Sequence, residues 1–541
     1  MTDTNTLEES PNNSHDWLLI ALLFALVLPL RLWLIHNTEV TARDSIGYVR
    51  YALQFEKQGW KEALTSNHQH PGYPLLVCLV SVPVRAIEGA TTPENMALCT
   101  QLVNLVASLV LLVPMYWLGR QFFDRVVSFF GALLFQYLPV SGQHLSDGIS
   151  EPVYLLLTVT ALLHMVQALR DRTIAQGALC GLFTGLAYLT RPEGALVIGA
   201  FAIVLTTMQI VPSWRCPWQH FLTCGAAAAL SAAAVGSIYV LTTGQLTNKP
   251  AAREMSGMTT AAEQRDQPSQ QLFAATVPKT GPEGLWLVRC AWAIGAELNQ
   301  GLHYFASIPA VLGLFIWFPT LRQQPGFWGL LAYQGIVAAI LMRLAMIAGY
   351  VSDRHVMILV LLACYLAVAG VWETSKLILQ RVRSNDAAPD DVAAATPWLL
   401  STSLWFGVMF AIVVAIGLPK TTQRLHGNRA GNHAAGLWLA DHLKTGDHVE
   451  DDHAWSHFFS GLLLLEGAEP VVPAGVTPTC YVVTTRSRDP IIDASRQDGV
   501  LGSEAKVVYT WPENVAVESA RVVVYAQPRD RKKHPWRLAS P

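Results

Sequence analysis

The chain has 541 residues, of which 52% are hydrophobic and only 14% charged, and its formal net charge is −2. Soluble domains carry about 25% charged residues, so a bilayer supplies much of this chain's solvent, and the near-neutral balance leaves no basic footprint for nucleic acid. The eight cysteines show neither CxxC spacing nor a zinc-like cluster, and most sit in apolar runs where a free thiol acts as a small hydrophobe.

Residues 1–16 are polar and acidic and read as a disordered cytoplasmic tail. The run that follows, "WLLIALLFALVLPLRLWLI", has no basic segment before it and no small-residue cleavage site after it, which predicts an uncleaved first span. A crossing helix needs about 20 mostly apolar residues. Candidates lie near 17–36, 95–118, 126–143, 152–169, 174–190, 194–211, 221–242, 302–320, 326–343, 355–372 and 397–418, about eleven transmembrane helices in all. The run "PGYPLLVCLVSVPV" at 71–84 is shorter and interrupted by proline and glycine, and it reads as a re-entrant or surface-lying segment. A crossing there would invert everything downstream.

Basic residues orient the spans. Arg120, Arg125, Arg170, Arg172, Arg215, Arg322, Lys376, Arg381 and Arg383 gather in the loops of one side, which is the cytoplasmic side by the positive-inside bias. The expected architecture is an all-α polytopic protein of the cytoplasmic (inner) membrane with its N-terminus inside. Residues 17–418 form the body, with outer loops at 37–94 and 244–301. Residues 419–541 form a small extracytoplasmic α/β domain, in which "NHAAGLWLADHL" reads as a helix and "TCYVVTT", "AKVVYTW" and "ARVVVYAQP" as strands. No internal repeat is evident. Cys290 and Cys480 both fall on the outer side, which leaves a disulfide between them open.

The short outer loops hold few charges, but those charges are of mixed sign: Asp147 and Glu151 in "LSDGISEP", Arg191 and Glu193 in "TRPEG", and Asp353, Arg354 and His355 in "VSDRH". With Asp44, at the head of the amphipathic stretch "RDSIGYVRYALQF", they would ring one rim of a helical bundle. Acids beside guanidinium groups suit an anionic head group next to a hydroxyl to be deprotonated, because arginine's planar fork matches phosphate.

The stretch "RDSIGYVRYALQF…HQHPGYPLL" resembles the first outer loop of the GT-C membrane glycosyltransferases, in particular protein O-mannosyltransferase-like and aminoarabinose-transferase-like enzymes. "SDGISEPVYLLL", "GLAYLTRPEGAL" and "SDRHVMILVLLACYLAVAG" resemble later motifs of that superfamily, in the expected order. The resemblance covers roughly residues 15–375. It implies a sugar donor carried on a polyprenyl phosphate, an acceptor hydroxyl on a glycolipid, polysaccharide or protein, and inversion at the anomeric carbon. It assigns the general base to Asp44 and the donor phosphate to Arg354, with His355 and Arg191 beside it. Tyr48, His70, Asp147, Glu151 and Glu193 are secondary site candidates. Family members often place a second acid directly after the first, where this chain has Ser45. The residues demand no metal and no cofactor.

Each assignment has a structural alternative. Asp44 and Ser45 stand where a helix N-cap would; Arg354 sits where a span-end cation snorkels. Arg191 and Glu193 fit a polar turn punctuated by Pro192 and Gly194, and Asp147 and Glu151 fit the cap of the span that follows. Tyr48 and Tyr51 read as interfacial aromatics rather than sugar-stacking groups. His453 and His457, four apart, could chelate a metal if helical, but nothing completes a ligand set. At the level of the whole chain the rivals are a transporter or lipid flippase, which would carry charges midway through its spans, and a non-catalytic envelope-assembly or sensor protein.

Overall fold

The computed structural model describes residues 13–250, 253, 275–276, 283–385, 402–466, 471–473, 476–486, 501–530, 533 and 537–538. Most of the polar part of the 244–301 loop, the first twelve residues and the start of the last expected span lie outside the described residues.

Helix α1 (Asn13–His36) leads to α2 (Arg43–Lys57), the short α3 (Trp60–Ser66) and α4 (Gly72–Glu88). Then come α5 (Pro93–Val110), α6 (Leu112–Arg120), α7 (Arg125–Tyr137), α8 (Pro139–His144), α9 (Glu151–Asp171), α10 (Ile174–Thr190), α11 (Leu196–Ile210) and α12 (Trp218–Thr243). After the second long loop follow α13 (Glu283–Gly301), α14 (Ser307–Leu321), α15 (Pro325–Ala348), α16 (Met357–Asn385) and α17 (Thr402–Thr421). Two-residue strands β1 (Ala275–Thr276) and β2 (Tyr350–Val351) pair antiparallel beside the start of α16.

Among the described residues, eight helices are long and apolar enough to cross a membrane, and the expected spans at 126–143, 174–190 and 302–320 fall on the shorter apolar helices α7, α10 and α14. The chain is a multi-pass membrane protein. Proline sets the ends of two of these shorter helices. Leu138 before Pro139 and Arg191 before Pro192 are both extended, because the proline ring crowds the preceding residue out of the α region. At the third, His303 and Tyr304 both take positive φ, so α14 starts only at Ser307.

Helix α1 begins earlier than the expected tail boundary, since Asn13–Asp16 are already helical. The reason is a charge cluster: fully buried Asp16 accepts from Tyr116 at 2.5 Å and faces Arg125 at 3.0 Å and Arg120 at 3.6 Å. The 71–84 segment is helical, as α4, and lies along α2 and α5, with Arg85 paired to Glu56 of α2. Helices α10 and α12 approach closely because Gly177 and Gly181 of α10 meet Cys224 and Ala228 backbone, the small-residue packing that lets helices touch in lipid.

The C-terminal domain is α/β as expected. Its sheet runs in the order β3 (His448–Asp451), β5 (Thr479–Thr485), β7 (Val522–Pro528), β6 (Lys506–Trp511), with β3–β5 parallel and the other pairs antiparallel. A separate parallel pair joins β4 (Val471–Val472) to β8 (Arg537–Leu538). Helix α18 (Ala430–His442) covers one face, setting Ala435 and Leu439 against Val449, Val483, Val522 and Val524. Short helices α19 (Trp455–Phe459) and α20 (Leu462–Leu465) dock the domain on the body. Their Trp455, Phe458, Phe459 and Leu463 share a core with Ile46, Val49 and Leu53 of α2 and Met96 of α5. The disulfide left open by the sequence does not form: Cys290 and Cys480 are both reduced and buried, in α13 and in β5.

At the rim of this docking surface Arg50 makes a two-pronged pair with Glu466, at 2.6 and 2.9 Å, and His457 joins it at 3.0 Å. Burial alone would push Glu466 up, but His457 and Arg50 hold its pKa down at about 2. A carboxylate lowered in the folded state stabilises it above the unfolded pKa and loses that effect as pH falls. Pepsin should therefore cut the 419–429 connector faster as pH drops from 4.5 toward 2, and Glu466→Gln should be cut fast already at pH 4.5.

Candidate active site

Side-chain contacts bring the ends of α8, α10 and α15 together with the starts of α2, α9 and α16 at one end of the bundle. The mixed-sign residues of the sequence meet there. Arg354 donates from Nη1 to Asp44 Oδ2 at 2.5 Å, and its Nε lies 4.0 Å from Glu151 Oε1. Arg191 donates to the same Glu151 oxygen at 2.5 Å and reaches Glu193 at 3.5 Å, with its guanidinium 5.5 Å from the centre of the Tyr154 ring. Lys249, from the loop after α12, approaches Glu193 at 3.5 Å. The result is a chain of alternating charge: Asp44, Arg354, Glu151, Arg191, Glu193, Lys249. Burial favours neutral forms, yet the carboxylates on either side hold the Arg191 pKa well above its ordinary value. Lys249 is pulled below its own, by burial first and despite Glu193.

Asp44 is not a helix cap. The N-cap of α2 is Ala42, whose side chain makes no cap bond, and Asp44 stands in the first turn with its carboxylate on Arg354. The helix dipole adds to the stabilisation of a carboxylate at that place. Its side chain is 40% exposed and that of Arg354 36%, against 4% for Glu151, so the Asp44–Arg354 pair is open to a ligand. Asp147 caps α2 rather than α9: its Oδ1 accepts from the amides of Ala42 at 2.9 Å and Gly148 at 2.8 Å. Its Oδ2 faces His426 Nε2 of the C-terminal domain at 2.7 Å. Burial would raise the Asp147 pKa, and His426 and the two amides bring it below the ordinary value. Glu151 caps nothing either; it lies between the two arginines.

His355 turns inward to its own turn. Nδ1 accepts from the Ser352 amide at 3.3 Å and lies 3.0 Å from its hydroxyl, which places the ring hydrogen on Nε2. His70 lies at the edge of the site, stacked on Tyr239 with centroids 4.6 Å apart. Its Nδ1–H donates to Tyr188 O at 2.7 Å and Nε2 faces Thr247 at 3.0 Å, and burial pushes its pKa down to about 4. It is a neutral clasp on the segment that delivers Lys249. Tyr48 and Tyr51 do not lie in a lipid interface: both are buried, and Tyr48 donates to Ser150 at 3.0 Å. Among the described residues no group of three or more His, Cys, Asp or Glu is arranged to hold a metal, and His457 instead faces Glu466.

Lys249, His144, His426 and Arg31 belong to the site's surroundings and escaped the sequence reading. His144 pairs with Asp353 at 3.3 Å, and Asp353 in turn accepts from the Arg354 amide at 2.8 Å. Arg31 is fully buried in α1 and donates to Gly142 O at 2.5 Å and Ser146 Oγ at 3.0 Å. A single cation inside an apolar run was its available signal.

The structure also accounts for Ser45. Its hydroxyl is fully buried, bonded to Thr41 Oγ1 at 2.6 Å and to Gly148 O, and a carboxylate there would face a carbonyl. A Cβ on Gly148 would collide with the hydroxyls of Thr100, Ser45 and Thr41. Gly148→Ala should therefore destabilise the protein by about 1–3 kcal/mol, read as a lower melting temperature in detergent. Glu151→Ala takes from buried Arg191 the closer of its two carboxylate partners and should cost up to about 3–5 kcal/mol in the same measurement.

Residues 92–239 match the family model described as dolichyl-phosphate-mannose-protein mannosyltransferase. No curated protein matches the chain by sequence. Among solved structures, ArnT from Cupriavidus metallidurans, bound to undecaprenyl phosphate, is 13% identical with a TM-score of 0.53, over 94% of this chain and 97% of that one. The oligosaccharyltransferase AglB from Archaeoglobus fulgidus, in complex with an inhibitory peptide and a dolichol-phosphate, is 12% identical with a TM-score of 0.50, over 88% of this chain and 70% of that one. The helical body with its small C-terminal sheet domain thus has a GT-C-like fold, shared with ArnT.

Proposed function

We propose that the chain is a glycosyltransferase that moves a sugar from a polyprenyl-phosphate donor to an acceptor hydroxyl, at the extracytoplasmic face of a cytoplasmic membrane. The observation that carries this reading is the contact between the exposed carboxylate of Asp44 and the Arg354 guanidinium at the rim of an apolar bundle. The family match over residues 92–239 and the fold shared with a protein solved with undecaprenyl phosphate support the donor class. The orientation rests on the basic residues of the opposite loops.

In this mechanism the acceptor oxygen attacks the anomeric carbon in line. The bond from that carbon to the phosphate oxygen breaks with inversion, and the acceptor proton passes to Asp44. A base must stand within hydrogen-bond reach of the proton it takes. The charge that develops on the departing phosphate falls to Arg354, whose guanidinium has donors beyond the one facing Asp44. His355 would add Nε2–H. Arg191, pinned between Glu151 and Glu193, acts on the phosphate at longer range by keeping Glu151 from claiming Arg354. Because Arg354 serves both partners, charge arriving on the phosphate draws it from the carboxylate as the carboxylate takes the proton. The acceptor is a hydroxyl of a glycolipid, polysaccharide or protein.

Asp44→Asn keeps the shape and removes the base. It should lower sugar transfer from a pool of polyprenyl-phosphate sugars onto envelope extract by at least about 100-fold, while undecaprenyl phosphate still binds. Arg354→Ala should weaken undecaprenyl phosphate binding by about 10–100-fold, with Arg354→Lys intermediate. Full transfer by Asp44→Asn would remove the proposed base.

A further inference from the structure

The segment between α1 and α2, which delivers Asp44, is held along its length by the C-terminal domain. Thr38 forms a parallel bridge with Leu425, and the Glu39 amide donates to Leu425 O at 3.0 Å. The Glu39 carboxylate faces Arg424 at 2.5 Å and His433 at 3.0 Å. Arg43 reaches Asp452 O at 3.4 Å.

The tightest restraint falls on one peptide unit, Thr41–Ala42, two residues before Asp44. Trp455 Nε1–H donates to its carbonyl, Thr41 O, at 2.8 Å. Its amide, Ala42 N–H, donates to Asp147 Oδ1 at 2.9 Å, and Asp147 Oδ2 is fixed by His426 at 2.7 Å. The His426 and Trp455 ring centroids lie 6.4 Å apart, so the two ends of the restraint come from neighbouring side chains. His426 keeps a left-handed backbone, φ 52° and ψ 28°, which residues other than glycine seldom adopt. A peptide plane held at both its polar ends cannot rotate, and the first turn of α2 inherits its direction.

We propose that His426 and Trp455 are positioning residues, through which the C-terminal domain clamps the Thr41–Ala42 peptide and aims Asp44. The proposal rests on the reading of Asp44 as the base. Domain contacts made only for docking would not need to converge on a single peptide, and the apolar contacts of α19 and α20 with α2 already supply docking.

The test compares the full-length protein with its His426→Ala, His426→Gln and Trp455→Phe variants in lipid nanodiscs. Three quantities are read: amide hydrogen exchange at Ala42–Ser45, affinity for undecaprenyl phosphate, and turnover at saturating polyprenyl-phosphate sugar. His426→Ala and Trp455→Phe should speed exchange at those amides and lower turnover by about 10–100-fold, with phosphate affinity changed less than about twofold. His426→Gln, which keeps an N–H donor, should recover most of the turnover. Unchanged exchange overturns the clamp. So does faster exchange with full turnover, and so does a parallel loss of turnover and phosphate affinity. If wild type transfers no sugar, the transfer reading falls, and the exchange at Ala42–Ser45 alone decides whether the clamp exists.

Discussion

Glu151 is a carboxylate almost closed off from solvent at the start of a membrane helix, and it stays charged because Arg191 and Arg354 converge on one of its oxygens. An isolated charge in that environment would cost many kcal/mol, so the starts of α9 and α16 and the end of α10 must lie at one level. That requirement fixes the vertical register of three helices. Arg354 then reaches beyond Glu151 to Asp44 and ties in α2, while Arg191 reaches Glu193 and, through it, Lys249. The alternation of sign along this row keeps any one charge from being buried alone, and the row opens to solvent at its two ends, Asp44 and Lys249.

Two supports stand outside the charge row. On one side Asp147 and the Thr41, Ser45 and Gly148 hydroxyl-and-carbonyl cluster knit the α8–α9 turn to the head of α2. On the other, the C-terminal domain lies over the same segment and meets it with hydrogen bonds as well as an apolar core. The C-terminal domain is therefore continuous with the site's scaffold. Its α19 and α20, with His426 and His433, form one side of a structure whose other side is the stretch from the end of α1 through α2.

Much of this was legible as a sequence. Eight of the expected spans fall on described helices long and apolar enough to cross a membrane, because hydrocarbon solvent leaves an unmistakable run of apolar residues. The strands of the C-terminal domain were legible from their alternation. The acids and arginines of the rim were legible because mixed charge is rare in short loops between spans. What could not be read was pairing. Asp44 as a cap and Asp44 as a partner of Arg354, 310 residues away, look alike in one dimension, and Asp147 caps a helix far from its own. Tyr48 and Tyr51 were misread because an amphipathic face can be covered by protein as well as by lipid headgroups. Lys249 and His426 lie in connectors with no periodicity, and only the folded chain brings them near the rim. Arg31 was hidden by the apolar run around it.

Helix α1 is gripped at two depths, by the Asp16 cluster near its first turn and by the bonds of Arg31 to Gly142 and Ser146 near its last. These grips are roughly 22 Å apart along the axis at 1.5 Å per residue. A slip of one residue would shift the helix by about 1.5 Å and turn it by about 100°, breaking both at once. The first helix therefore works as a gauge of fixed length: the Asp16 cluster at one end of the bundle sets the height at which the segment before Asp44 emerges at the other.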